Sequence, residues 1–476
     1  MKSFFCLATA ALFFWQAATA CAAAPLELTL DQAVAMALKN NLGLKITRED
    51  VAKAQGAVQG EEGAFDPVLI ASGSHEDSRK TAVSSFEAGK EKTSAWSASL
   101  KKKVRSGAEL DLSWENARYS SDLSFLTIDP AYSSGLSAGI SQPLLQGRGQ
   151  EAQTAGLRAR RKNVAAVERV VDSSAVDLAA LVKENYWQLV YAIQEIEVKK
   201  LSLELARTLL DDTQKKIDAG AMAGVEIYQP ESEVARREEA LIAGERAIAD
   251  LEDRLQQLLN RPDWSTPVVP TDLPRVQEEV PTVQTTVAKA LEKRPDIQAA
   301  ARRIEAAEIT VKLKENMLRP SLDLFGRMGL AGVDDAYDDS VGDIAADAGT
   351  VWKVGLVFSL PLGNNGAKGE LAAARADLRK ARLDLQLLKQ ENTRAARQAV
   401  RDIGLSLKSI HAGKKTTLAL QRRLQAEQDK FDVGLSTALD VLEAQEAYAL
   451  AVANEKRASI DHAIAQARLA RALGSL

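Results

Sequence analysis

The side chains that could do covalent or metal chemistry are few and scattered. His75, His411 and His462 stand far apart in a 476-residue chain, and no two of them have metal-ligand spacing. Both cysteines, Cys6 and Cys21, lie at the extreme N-terminus, which leaves the body of the chain without a thiol nucleophile or an internal disulfide. Neither a phosphate-cradling glycine loop nor a Ser/His/Asp arrangement is visible. The chain therefore does not read as an enzyme, and it calls for no cofactor and no metal. What remains is carboxylate: Glu226 and Asp440 fall at the start of helical patterns. Acids in the first turn of a helix are ordinary, because they favour the positive end of its dipole.

The N-terminus reads as an address. Lys2 precedes an apolar run over 4–18, and Thr19, Ala20, Cys21, Ala22 and Ala23 follow. A basic start, an apolar stretch and small residues make a secretory signal over 1–22, too short for the ~20 residues of a helical span. Ala18-Thr19-Ala20-Cys21 loosely resembles a lipoprotein processing site, although the usual leucine three residues before the cysteine is absent. Cys21 is thus either removed with the signal or kept as a lipidated first residue. Only 5% of residues are aromatic while 46% are hydrophobic and 26% charged, the mix of long packed helices rather than of a compact mixed core. The net charge is −4 and no basic tract is longer than the three residues of Lys101–Lys103, so nucleic acid is not an expected partner.

The chain is written twice. Lys216-Ile217-Asp218-Ala219-Gly220 returns 214 residues later as Lys430-Phe431-Asp432-Val433-Gly434, and the same offset pairs Glu226 with Asp440. Upstream, Val34-Ala35-Met36-Ala37-Leu38 matches Val287-Ala288-Lys289-Ala290-Leu291 at an offset of 253. Each half reads helix, β region, very long helix, tight turn, helix. Prolines 262, 267, 270, 274 and 281 crowd the junction, which marks a linker. The expected boundaries are upper helices over 28–66 and 283–319 and β segments over 67–143 and 320–362. Long helix, tip and return helix take 150–260 and 367–476, with the linker over 261–282.

Leu371, Ala374, Leu378, Ala381, Leu385 and Leu388 step in the 3,4 alternation of a coiled-coil seam. Proline is absent from 150–216 and from 368–430, so each stretch can run about 100 Å as one helix, well beyond a bilayer of about 40–45 Å. The β segments have the opposite period. Ala108, Leu110, Leu112 and Trp114 alternate with Glu109, Asp111 and Ser113, and Trp352, Val354, Leu356, Phe358 and Leu360 share one face. Six strands are expected, near 67–74, 93–104, 107–118, 134–142, 321–330 and 350–361, with outer loops over 77–92 and 120–133. A soluble sandwich shares this alternation; export, strand length and the girdle candidates Trp96, Trp114 and Trp352 favour a barrel against membrane lipid. Two or even four strands cannot close a barrel around a channel, so several protomers must share one.

In this order and spacing the chain resembles the TolC-like outer membrane efflux proteins over nearly all of its mature length. The motifs are Leu28-Thr29-Leu30-Asp31-Gln32-Ala33, Ala37-Leu38-Lys39-Asn40-Asn41, Pro320-Ser321-Leu322, and Val354-Gly355 through Pro361-Leu362. Val433-Gly434 through Leu439-Asp440-Val441-Leu442-Glu443-Ala444 completes them. The resemblance implies an α+β membrane protein: a homotrimer with a shared barrel in the outer membrane and a tunnel of long helices in the periplasm. It implies passive conduction, as the exit duct of a tripartite efflux or type I secretion system, with a periplasmic adaptor and an inner-membrane transporter as partners. It also places Asp440 and Glu443 in acidic rings at the tunnel mouth and Glu226 in the matching turn, where three copies would attract cations. The family's gate arginine and tyrosine are replaced here by Ser436 and Phe431, so the usual lock is absent or differently built. A non-conducting periplasmic scaffold anchored through Cys21 is the alternative reading. Cargo is chosen elsewhere and is not written in these residues.

Overall fold

The computed structural model describes residues 26–84, 86–346 and 349–476; Cys6, Cys21 and the signal segment lie outside them. The first half runs β1 (Leu26–Leu28), α1 (Leu30–Asn40), α2 (Leu42–Glu62), β2 (Val68–Arg79), β3 (Lys90–Lys103), β4 (Glu109–Ser121) and β5 (Ala131–Pro143). It continues through α3 (Gln150–Gln153), α4 (Ala155–Asp218) and α5 (Tyr228–Leu259). The second half has β6 (Val268–Pro270), α6 (Val283–Lys293), α7 (Pro295–Met317), β7 (Ser321–Asp334) and α8 (Tyr337–Ala346). It ends with β8 (Gly349–Ser359), α9 (Asn365–Asp432) and α10 (Ala438–Leu473). α4 and α9 are uninterrupted helices of 64 and 68 residues, about 96 and 102 Å long at 1.5 Å per residue.

The duplication reaches down to single backbone angles. Each upper helix, expected as one piece, is broken once. Asn41, at ψ 129, separates α1 from α2, and Arg294, at ψ 127, separates α6 from α7. These two residues are 253 apart, the offset that matches the helices themselves. At Arg294 the cause is Pro295, which drives the residue before it out of the helical region. Asn41 has no proline after it; its amide instead donates to Leu258 O at 2.9 Å while Asn260 returns a bond to Asn40 O at 3.1 Å. α1 opens on a complete capping box between Thr29 and Gln32.

Two compact units divide the chain. The first contains α1, Leu181–Glu278 and Leu405–Ala467. The proline-rich junction holds structure there that a plain linker would not: β6 pairs in parallel with β1, Leu26 opposite Val268. Prolines 267 and 270 bracket the two valines of this short strand, an edge position where the missing N–H is tolerated. Side chains pin the junction further. Tyr186, fully buried, donates to Leu28 O at 2.9 Å and accepts from Asp272 N. His462, also fully buried, sits 2.9 Å from Ser406 Oγ through Nδ1, while its Nε2 accepts from the Gln277 backbone N–H at 3.3 Å. Burial lowers the His462 pKa and keeps the ring neutral.

A buried charge ties three helices of this unit together. Arg237 on α5 donates to Glu233 Oε1 at 2.8 Å, to Ser202 O on α4 at 2.5 Å and to Gln445 Oε1 on α10 at 3.0 Å. Its side chain is 8% exposed and that of Glu233 is 13% exposed. Burial pushes the Glu233 carboxyl up, but the guanidinium groups of Arg236 and Arg237 more than offset this and leave its pKa lowered.

The second unit contains the sheet, whose strand order is β2-β3-β4-β5-β7-β8, antiparallel throughout. The strands run further than their alternation alone indicates. Pairing continues to Arg79 opposite Lys90 and to Glu91 opposite Ser121, so the outer connections are shorter than the expected 77–92 and 120–133. Backbone bonds join the two β segments where they meet the helices, Leu144 N to Leu322 O at 2.7 Å among them. α9 seats its seam here: Leu371, Ala374 and Leu378 pack on Val311 and Leu318. α8 is an addition, a ten-residue helix between β7 and β8 that the alternation does not indicate. Tyr337 on α8 stacks on Trp96 at 5.4 Å, and Ser340 bonds Ser134 Oγ at 2.9 Å.

Candidate functional site

Two places concentrate the residues singled out by sequence: the sheet and the turn joining α9 to α10. In the sheet, register decides which side chains share a face, since directly opposed residues point the same way. Leu69, Leu100, Leu112, Ala138, Met328 and Trp352 form one continuous rung across all six strands. This face stays open to its surroundings: Leu112 is 47% exposed, Met328 60% and Trp352 77%. Below it on β8, Val354, Leu356 and Phe358 continue the same apolar surface. A solvated sheet face is normally polar, and an apolar patch of this extent marks contact with lipid or another protein.

The three tryptophans lie on that face together. Trp96 opposes Asn116, Trp114 opposes Ala98 one rung further in, and Trp352 belongs to the next rung again. From β3 to β4 to β8 they occupy three successive rungs of one face. Trp96 is partly covered by α8 and Trp114 is half-buried. The opposite face is hollow and hydroxyl-rich. Ser72, Ser74, Ser97, Glu115 and Ser133 line a depression of about 430 Å³, and on the neighbouring rung Ser113 bonds Ser137 at 2.7 Å.

At the helical turn, Gly434 and its duplicate Gly220 both take left-handed φ, 76° and 72°, a conformation that costs glycine nothing and lets each long helix stop sharply. Thr437 then starts α10. Its hydroxyl accepts from Asp440 N at 3.3 Å, while Asp440 Oδ2 accepts from Thr437 N at 3.0 Å and from its hydroxyl at 2.6 Å. Asp440 is therefore the reciprocal half of a capping pair, a structural duty that position alone did not reveal. The Thr437 hydroxyl and backbone N–H hold its carboxyl below the usual carboxylate range. Glu443, one turn further, is exposed. Glu226 is exposed too, inside the single turn Gly224–Ile227. There the duplicate of Thr437 is Ala223, which cannot cap, so the two acids paired by duplication no longer share a local role.

Ser436 and Phe431 each have definite partners at this turn. Ser436 donates to Glu427 Oε2 at 3.0 Å and to Asp440 Oδ2 at 3.3 Å. The Lys430 ammonium, with Ser436, lowers the Glu427 pKa. Phe431 is 4% exposed and packs with Leu209, Val441 and Leu442. Lys216 Nζ sits 3.6 Å from its ring centroid and donates to its carbonyl at 2.6 Å. Lys216 was legible only as one residue of a repeat; nothing in its own segment announces the ring it covers.

A family model described as outer membrane efflux protein matches residues 102–261 and 286–475. The chain belongs to the outer membrane efflux protein family. Members of this family are outer-membrane proteins with their helical portion in the periplasm, and they are not enzymes. This member is 24% identical over 298 residues to the outer membrane efflux protein BepC of Brucella suis, covering 60% of this chain and 62% of that one. It is 23% identical over 303 residues to the outer membrane protein TolC of Escherichia coli, covering 61% and 60%. The matches thus span about three-fifths of each of these curated relatives. The crystal structure of VceC from Vibrio cholerae superposes with a TM-score of 0.70 at 17% identity, covering 94% of this chain and 96% of that chain. The long helices and antiparallel sheet are therefore the TolC-like channel fold.

Proposed function

We propose that three copies of this chain form one passive exit duct across the outer membrane. One observation carries this reading: the sheet has an exposed apolar face, a hydroxyl-rich hollow face, and two edges, β2 and β8, each paired on one side only among the described residues. In a bilayer no strand edge can stay open, because each unpaired backbone group costs several kcal/mol. Neighbouring copies supply the missing pairs, β8 of one against β2 of the next, and the chain directions make that junction antiparallel. Three copies give eighteen strands from six apiece. The hydroxyl face then lines water, the apolar face meets lipid, and Trp96, Trp114 and Trp352 serve the outer interface.

On this reading, segments 67–143 and 320–362 make the barrel, and 150–260 and 367–476 make the periplasmic tunnel. A periplasmic adaptor and an inner-membrane transporter deliver the cargo, as in tripartite efflux or type I secretion. The turn at Gly434 forms the tunnel mouth, where Asp440, Glu443 and Glu226 of three copies concentrate negative charge. Asp440→Asn keeps the oxygen that accepts from Thr437 while removing the charge, so it separates the cap from the ring. Asp440→Asn with Glu443→Gln is expected to weaken block of single-channel current by divalent cations added on the tip side. Block as strong as in the unaltered protein would remove these acids from the mouth.

A further inference from the structure

The hollow face of the sheet carries one rung unlike its neighbours. Val68, Lys101, Asp111, Gly139, Arg327 and Lys353 stand opposite one another in unbroken order across all six strands. Three cations and one carboxylate leave this rung a net +2. The next rung outward, from Ile70 through Ser113 to Val351, has no charge at all, and the next inward sets Lys103 against Glu109. Beyond Glu109, the nearest carboxylates of this face, Glu115 and Asp323, stand four residues along their strands, about 13 Å away at 3.3 Å per residue.

The rung is held in place rather than loosely decorated. Arg327 Nη2 donates to Asp111 Oδ2 at 3.1 Å although β5 runs between their strands. They meet because the residue between them is Gly139: a Cβ there would collide with the Asp111 carboxylate. Phe325 lies over Gly355, where a Cβ would come within 2.6 Å of its ring, and Lys353 Nζ stands 5.7 Å from that ring. Asp111 thus fixes one cation and an aromatic ring braces another, while Lys101 opposes Asp111 from the other side.

We propose that this rung is an anion-binding band in the lumen, selective for multiply charged anions such as polyphosphates and polycarboxylates over cations. The band rests on the shared-barrel reading, in which three copies bring its charge to +6 around one pore. Closely spaced fixed cations raise the local concentration of anions and bind those that can bridge two of them, as charged rings do in channels. Screening sets the conditions: the Debye length is about 10 Å at 0.1 M salt and 3 Å at 1 M, so the band acts strongly in dilute salt and little in concentrated salt.

Purified full-length protein in planar bilayers tests it, with inorganic tripolyphosphate added on the barrel side in about 0.1 M KCl. Tripolyphosphate is expected to block the current. Lys101→Gln with Lys353→Gln, which leaves the Asp111–Arg327 pair intact, should raise the half-blocking concentration by about tenfold or more. Asp111→Asn adds net positive charge and should lower it. Conducting channels whose block is indifferent to Lys101, Asp111 and Lys353 would overturn the band and leave the duct standing. Protein that inserts but passes no current would overturn the duct, and the band with it.

Discussion

Leu112→Arg is expected to abolish recovery of assembled protein from the outer membrane, whereas Ser97→Arg is expected to leave assembly intact. The two residues lie on adjacent strands of one sheet and both sit where a long side chain has room. They differ in face. Leu112 is 47% exposed on the apolar surface, in the rung of Met328 and Trp352. Ser97 lies on the hollow surface, its hydroxyl bonded to Ser72 at 2.8 Å. An arginine facing lipid costs between about 1 kcal/mol near an interface and about 4 kcal/mol at the midplane, and a trimer would bear that cost three times. An arginine facing water alters conductance, not insertion. Heat-resistant oligomer in isolated membranes gives the readout; equal loss from both substitutions would mean the sheet does not separate lipid from water.

Glu233→Gln should be the most damaging single change in the helices near the turn. It leaves Arg237, 8% exposed and bonded to three helices, without its one carboxylate partner. Breaking a buried pair from one side costs about 3–5 kcal/mol, while replacing both partners by well-packed neutral groups is often nearly neutral. Arg237 already holds one buried nitrogen, Nη2, without a partner, so the network has no spare contact to absorb the loss. Thermal unfolding followed by circular dichroism should show Glu233→Gln well below the unaltered protein, and Glu233→Gln with Arg237→Met recovering most of the difference. A double variant no more stable than the single one would show that the pair acts through something other than charge.

Much of this architecture is written in periodicity. The swap from period 3.6 to period 2 marks where helices give way to strands, and the repeat offsets of 214 and 253 locate the turns and even the paired breaks at Asn41 and Arg294. Pro295 makes one of those breaks legible; Asn41 hides the other, because its reason is a hydrogen bond to Leu258, 217 residues away. Register is hidden for the same reason. Alternation says that Lys101, Asp111, Arg327 and Lys353 point away from the apolar set, but only the pairing of strands puts them on one rung. α8 is not legible, because ten residues between two strands leave too little pattern to tell a helix from a loop. At the turn, the type and spacing of Asp440 identified an acid near a helix start. Its capping bond with Thr437 shows that the same carboxylate has a local structural reason to be there.

The shared barrel is what every functional statement leans on, and a density map of the protein in lipid nanodiscs tests it most directly. The account predicts one barrel of eighteen strands from three chains, six from each, with β8 of one chain paired to β2 of the next and Trp352 facing lipid. A barrel closed by the six strands of a single chain, or separate sheets lying apart, would contradict it.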